Sequence, residues 1–408
     1  MTNLLWPGDQ RAGEMMSDAT LLMSMVAVES AWLDALVAAD LAPEECAGVD
    51  LAGLISADDR EELAVQAEDG GTPVIGLVAL LRGRTSAEVS RWIHRGLTSQ
   101  DVVDTGLMLA TRTTIDELKA QLTEQISVLS VLAATHRGTP MAARTLTQYA
   151  VPTTFGAKVA TWLNGVVDAY RHLHALCIPV QIGGAGGTLA ATTELAALAG
   201  RPDGPGIAME LMHNVAATLG LAARAPWHTT RAPITAIGDA LTACTDAWGR
   251  IASDVVTLVR PEIAELSEPA TGNRGGSSSM PHKRNPVLSI LIRRAAISTP
   301  SLAATLHTAA ALANDERPNG AWHAEWDTLR TLARRTVVAG SQCTELLAGL
   351  EVHSAQMAKN LGSADVLSEQ RVIAQLVGKA PSGNYFGAVD ALIDDSLDRA
   401  ARTLKELP

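Results

Sequence analysis

The stretch IDELKAQLTEQISVLSVLAAT, residues 115–135, decides the fold class. Its side chains Ile115, Leu118, Leu122, Ile126, Leu129 and Leu132 recur at spacings of three and four, which places them on one face of an α-helix. Gly138 and Pro140 end the pattern. An apolar stripe of this length has to be buried against other helices. Outward from it, similar periodicity recurs in 20–40, 157–178, 236–260, 287–313 and 328–350. With only 3 Tyr and 2 Phe against abundant Ala, Leu and Val, long β-strands have little support. The chain reads as all-α, with long helices gathered into a bundle.

Gly-rich or Pro-containing breaks at 68–73, 138–152, 182–188, 201–206, 268–286 and 379–384 are the expected loops. Sites are sought there, because loops on a rigid scaffold commonly carry them. An N-terminal helical domain is expected at 1–110, a central long-helix bundle at 111–345 and a short helical C-terminal domain at 346–408. No repeat of solenoid length is visible.

At 408 residues, 47% apolar and 19% charged, the chain can bury a large core and is not of disordered composition. The net charge of −12, without a Lys/Arg stripe, argues against a nucleic-acid partner. The apolar runs are repeatedly interrupted, so no membrane span is expected, and the N-terminus lacks the pattern of a secretory leader. A cytoplasmic location is the expectation. Cys46, Cys177, Cys244 and Cys343 lie far apart, which fits neither a zinc cluster nor a disulfide framework.

The segment GGSSSMPHKRNP, residues 275–286, carries the most chemistry. Glycine and serine allow close backbone approach to a ligand, and Lys283, Arg284 and Asn285 supply donors for a carboxylate. Composition alone also fits a plain linker. A second segment, HRGLTSQDVVDT at 94–105, groups an imidazole, hydroxyls and an amide; it also reads as a helix start, with Thr98 or Ser99 capping and Asp101 in the first turn. A third, RTLTQYA at 144–150, offers Gln148 as a binding amide or an ordinary buried one. QIGGAGGT at 181–188 does not satisfy the spacing of a dinucleotide fingerprint, since Leu189 stands where the last glycine is required. In DERPNGAWHAEW at 315–326, His323 and Glu325 are two apart and so lie on different helix faces, which does not suit a metal pair.

Taken together, these segments resemble the fumarase/aspartase superfamily. Its signature GSSxMPxKxN matches at Gly276, Ser277, Ser278, Met280, Pro281, Lys283 and Asn285; the 94–105 segment resembles its HxGxTSxD string. The 181–188 and 315–326 segments are similar to stretches of its 3-carboxy-cis,cis-muconate cycloisomerase branch. The resemblance covers most of 15–360, in five separated segments, and thins beyond about 365, where the family usually carries a longer helical domain. It implies a cofactor-free, three-domain helical fold with a shortened C-terminal domain. It also implies a homotetramer whose active sites combine segments from different subunits.

The resemblance implies that Ser277 is the carbon-acid base, with His94 as the alternative proton-transfer residue. Lys283, Asn285, Thr98, Ser99 and Gln148 are then the groups that bind a small dicarboxylate or tricarboxylate. The family's usual RTHxQxA reads RTLTQYA here, so Leu146 stands where a histidine assists the leaving group. A basic leaving group needs a general acid, whereas a carboxylate departs without one. Interconversion of 3-carboxy-cis,cis-muconate and its lactone, through an enediolate, is therefore the expected reaction. The alternatives are a lyase expelling another weak base, such as nitrite from nitrosuccinate, an adenylosuccinate-lyase-like enzyme, or a non-catalytic structural member.

Overall fold

The computed structural model describes residues 3–269, 272, 274–277, 279, 280, 282–363 and 365–407. Ser278 and Pro281 of the signature lie outside the described residues. The chain is 65% helix, as the sequence predicts.

The helices are α1 (Asp18–Ala38), α2 (Asp59–Gly70), α3 (Pro73–Arg84), α4 (Ala87–Trp92), α5 (Ser99–Thr135), α6 (Phe155–His174), α7 (Ala190–Leu198) and α8 (Gly204–Leu219). They continue with α9 (Ala232–Leu258), α10 (Val287–Ala311), α11 (Ala321–Ala348), α12 (Ser354–Gly362), α13 (Ser368–Val377) and α14 (Val389–Glu406). The strands are β1 (Pro140–Thr145), β2 (Gln148–Thr154), β3 (Leu266–Ser267) and β4 (Glu351–Val352). Caps set several starts. The Ser17 hydroxyl accepts from Thr20 N at 3.1 Å ahead of α1, and Thr72 caps α3, which opens on Pro73.

The residues form two compact units. The first comprises Met1–Asp116, Leu176–Asp239 and Ser301–Arg334. Its core holds Trp32, Leu33 and Leu36 of α1, Leu77 and Leu81 of α3, and Trp227, all nearly inaccessible. Each such side chain contributes about 1.5–3 kcal/mol by leaving water.

The second unit comprises Glu117–Ala175, Ala240–Pro300 and Arg335–Pro408. Here the later parts of α5 and α9 and the corresponding part of α11 approach closely, because Gly340 leaves no room for a Cβ beside Gln121 and Trp248. The Trp248 indole donates to Gln125 Oε1 at 2.7 Å, and the Gln125 amide donates to Gly340 O at 3.1 Å. Leu118, Leu122, Ile126 and Leu129 of the deciding stripe are fully buried in this unit. α14 packs on α6 through Asn164 to Ser396 at 2.9 Å and Tyr170 to the Leu407 carbonyl at 2.6 Å.

One sequence expectation is corrected. The break at 138–152 is a β-hairpin rather than an open loop, with Pro140 paired to Thr154 and Thr145 to Gln148. Its two-residue turn, Leu146-Thr147, has positive φ at both positions (49° and 75°), the twist that matches paired strands. Asp18–Ala38 and Val287–Ala311 are each long and apolar enough to cross a membrane by length and composition alone. The interrupting charges within these runs are too few to fail that test. In α1, 56% of the qualifying window is packed inside the protein.

Candidate active site

The first unit builds one half of the predicted constellation around the N-terminus of α5. Asp101, in its first turn, is fully buried and reaches back to accept from Thr98 N at 3.0 Å, half of a capping box. Its carboxylate also accepts from Gly183 N and Gly184 N at 2.9 Å each, from Gln181 Nε2 at 3.1 Å and from His228 Nε2 at 3.0 Å. The start of the glycine-rich segment 181–188 therefore cradles an internal carboxylate. Fixing Asp101 fixes Thr98 and Ser99 at the helix start, where exposed amides and the helix dipole favour an anion.

Thr98 is buried, and its hydroxyl accepts a hydrogen bond from the guanidinium of Arg317. The Arg317 Nε is buried without a partner among the described residues. A hydroxyl, a guanidinium and a helix N-terminus are all groups to which a carboxylate can bond. Arg317 escaped the sequence reading although it sits in the quoted 315–326 segment; its distance in sequence from Thr98 hid the pairing.

His94 stands four residues before Thr98 in left-handed backbone, φ 63°. Its Nδ1 lies 2.6 Å from Glu29 Oε1 of α1. Glu29 was also missed. The available signal was a single acid inside the apolar run MVAVESAWL of α1.

A second buried cluster lies beneath α5. Arg231 bridges Asp104 at 2.7 Å and Glu325 at 2.6 Å, and the Trp322 indole donates to Asp104 at 2.9 Å. Burial pulls the Arg231 guanidinium down, but Asp104 and Glu325 outweigh it and hold its pKa above the ordinary arginine value. Burial pushes the Glu325 carboxyl up, against the opposing pull of Arg231. Glu325 thus faces inward, while the exposed His323 meets the Gly71 carbonyl at 3.0 Å.

The second unit carries the other predicted residues. The signature loop is tied at its base. Asn285 N and Nδ2 donate to Gly275 O at 2.8 and 3.1 Å, and Glu268 accepts from Leu288 N and Ser289 N at 3.0 and 2.8 Å. Gly275 has φ 76°, and a Cβ there would strike Asn285. Ser277 Oγ accepts from Met280 N at 3.2 Å and Ser279 N at 3.4 Å, donors that favour an oxyanion on this oxygen. Lys283 is exposed.

The 140–154 hairpin is anchored by Arg144, which donates to the buried Glu265 at 2.7 and 3.0 Å; Asn360 shares that carboxylate at 2.8 Å. At its tip, Leu146 is 97% exposed, and Gln148 is exposed beside Thr147. The structure thus gathers His94, Thr98 and Ser99 in the first unit. It places Gln148, Ser277, Lys283 and Asn285 in the second.

A lyase family model matches residues 14–299, more than half of the chain. The chain belongs to the fumarase/aspartase superfamily. Among superfamily relatives, it is 43% identical to a nitrosuccinate lyase of Streptomyces davaonensis, covering 89% of this chain and 78% of that protein. It is 36% identical to a 3-carboxy-cis,cis-muconate cycloisomerase of Bradyrhizobium diazoefficiens, over 91% and 82% of the two chains. The crystal structure of the 3-carboxy-cis,cis-muconate lactonizing enzyme from Pseudomonas putida superposes with a TM-score of 0.83 at 29% identity, over 96% of this chain and 97% of that one. The protein is accordingly a mostly helical enzyme of the lyase superfamily.

Proposed function

We propose that this enzyme eliminates a weakly basic leaving group from a small dicarboxylate, with nitrosuccinate, yielding fumarate and nitrite, as the leading substrate. Leu146 is the observation that carries this reading. The hairpin tip from Thr145 to Gln148 contains no side chain able to donate a proton near neutral pH, so departure of an amine or hydroxide would go unassisted. Nitrite, like a carboxylate, leaves as a stable anion and needs no such help. The 43% relative named for nitrosuccinate supports the choice.

In the proposed step, Ser277 removes the proton from the carbon next to one carboxylate. That electron pair forms the double bond, and the carbon–nitrogen bond breaks with its pair on nitrite. Met280 N and Ser279 N stabilise the Ser277 oxyanion. Lys283 and Asn285 serve one substrate carboxylate, and Thr98, Ser99 and Arg317 another, with Gln148 as a further amide donor. His94 is the second proton-transfer group. Fixed donors of this kind act on the enediolate charge as it grows.

The second reading is lactone formation from 3-carboxy-cis,cis-muconate, favoured by the 36% relative and the Pseudomonas putida fold. There the departing group in the reverse direction is a carboxylate, and the same argument from Leu146 applies. Adenylosuccinate-type elimination fits Leu146 less well.

We also propose a cytoplasmic homotetramer that uses no cofactor and has no membrane or nucleic-acid partner. Its support is α10, whose Ile290 and Ile297 are 48% and 74% exposed in the single chain, an apolar face suited to burial against other copies. Turnover on the two substrates side by side tests the function. Fumarate and nitrite appearing together support the lyase, loss of the muconate absorbance supports the cycloisomerase, and turnover of neither overturns both.

A further inference from the structure

We infer that Glu29 is a positioning residue: it sets the tautomer of His94, so that Nδ1 carries the proton and Nε2 is the atom that exchanges a proton with substrate. This rests on the reading above only for the role of His94 in turnover. Glu29 is inaccessible on the inner face of α1, and its Oε1 meets His94 Nδ1 at 2.6 Å. A carboxylate only accepts, so the imidazole must donate through Nδ1. His94 Nε2 has no protein partner among the described residues, and its side chain is 18% exposed.

The backbone around His94 is built to hold this pairing. On one side, Arg82 of α3 donates to the Ile93 carbonyl at 2.8 Å; on the other, the Trp32 indole of α1 donates to the Arg95 carbonyl at 2.6 Å. Between them His94 takes φ 63°, a left-handed conformation that these two bonds hold in place. Gly96 follows at φ 90°, where a Cβ would strike Thr192 and crowd Trp32. Glu29 and Trp32 are three apart on one helix, so a single turn of α1 fixes both the ring and the chain that carries it. Glu29 Oε2 is buried with no hydrogen-bond partner among the described residues, an arrangement without benefit to stability alone. Among the described residues, Arg82 lies close enough to Glu29, and Arg95 close enough to Arg82, for their charges to interact.

When Nε2 takes a proton, the imidazolium is balanced by the Glu29 carboxylate. When Nε2 gives it up, the ring returns to the same Nδ1–H tautomer, ready for another exchange.

The test uses protein labelled with [15N]histidine, in which His94 is assigned from a His94→Asn variant and its tautomer read from nitrogen shifts of the neutral ring. Wild type is expected to carry the proton on Nδ1. Glu29→Ala should move it to Nε2, the site preferred by free imidazole. Glu29→Gln, which still offers a carbonyl acceptor, should keep it on Nδ1 and guards against a folding failure in the alanine variant. On whichever substrate the wild type converts, Glu29→Ala should lower kcat by about 10²-fold, the scale of a lost acid–base group, with a much smaller change in KM. Glu29→Gln should fall between. A wild-type proton on Nε2, or a tautomer that Glu29→Ala leaves unchanged, overturns the assignment whatever the substrate. A changed tautomer with unchanged kcat removes His94 from turnover and overturns it too. A wild type inert toward both substrates sinks the functional reading, while the nitrogen spectra still decide the tautomer.

Discussion

Two loops of this protein lead into the N-termini of long helices, and they are held in different ways. The His94–Thr98 loop, ahead of α5, is gripped by side chains from elsewhere in its unit: Glu29, Trp32, Arg82 and Arg317 each contribute a bond. Among its described residues, the signature loop ahead of α10 is tied to itself through Asn285 to Gly275 and Met280 to Ser277, while Arg274 pairs with Glu345 of α11 and Glu268 caps the helix it enters. Binding groups gain from being fixed before the substrate arrives, because the ordering cost is met during folding. A serine base needs the reverse, since its hydroxyl is a poor base in water and becomes effective once enclosed.

Substitutions in the two loops should therefore divide between rate and stability. The largest effect is expected at Ser277→Ala, with turnover down about 10²–10⁴-fold and unfolding free energy unchanged within about 0.5 kcal/mol. Steady-state kinetics beside a urea titration measures both, and a wild-type rate would move the base away from this oxygen. Asp101→Ala should do the opposite in kind. It strands five buried donors and should cost about 3–5 kcal/mol, seen as a lower urea midpoint. An unchanged midpoint would mean that the α5 start is not anchored as described.

Glu268→Ala sharpens the contrast, because it removes a side chain outside the signature loop that caps the helix at its exit. It leaves two α10 amides uncapped and should cost about 1 kcal/mol. A loss as large as that from Asp101→Ala would show the two loops to be equally anchored. Smaller again is Leu146→Gly, which relieves a positive φ at a side chain that is 97% exposed; the gain should be at most about 1 kcal/mol, with turnover kept. A fall in turnover beyond about tenfold would mean that the Leu146 side chain covers an assembled site, and its reading as a mere absence of acid would fail.

The smallest effect belongs to His136, at the far end of α5 and outside both loops. Burial lowers its pKa, so the unfolded chain binds the proton more readily. Its contribution to stability is present above the ordinary histidine value of about 6.5 and is lost as pH falls through the lower folded value. His136→Gln should flatten the stability profile in that window, as followed by thermal unfolding at stepped pH. A profile unaltered by the substitution would place the dependence elsewhere.

Helix content and the main helical segments were legible in the sequence because apolar periodicity is local: 20–40, 157–178, 236–260, 287–313 and 328–350 each correspond to a helix beginning and ending within a few residues of those limits, except that α11 starts at Ala321. The family, too, was legible, since its signature is a contiguous string. The hairpin at 140–154 was not. Its strands are short, and the Leu146-Thr147 turn lacks the Asn or Gly that normally announces positive φ. Tertiary structure alone decided which charges share a pocket. Asp101 meets Gly183, Thr98 meets Arg317 and Glu29 meets His94 across separations of 82, 219 and 65 residues, where no local pattern relates the partners. Periodicity tells a residue which side of its own helix is buried; only the packed chain determines what lies on the other side of that contact.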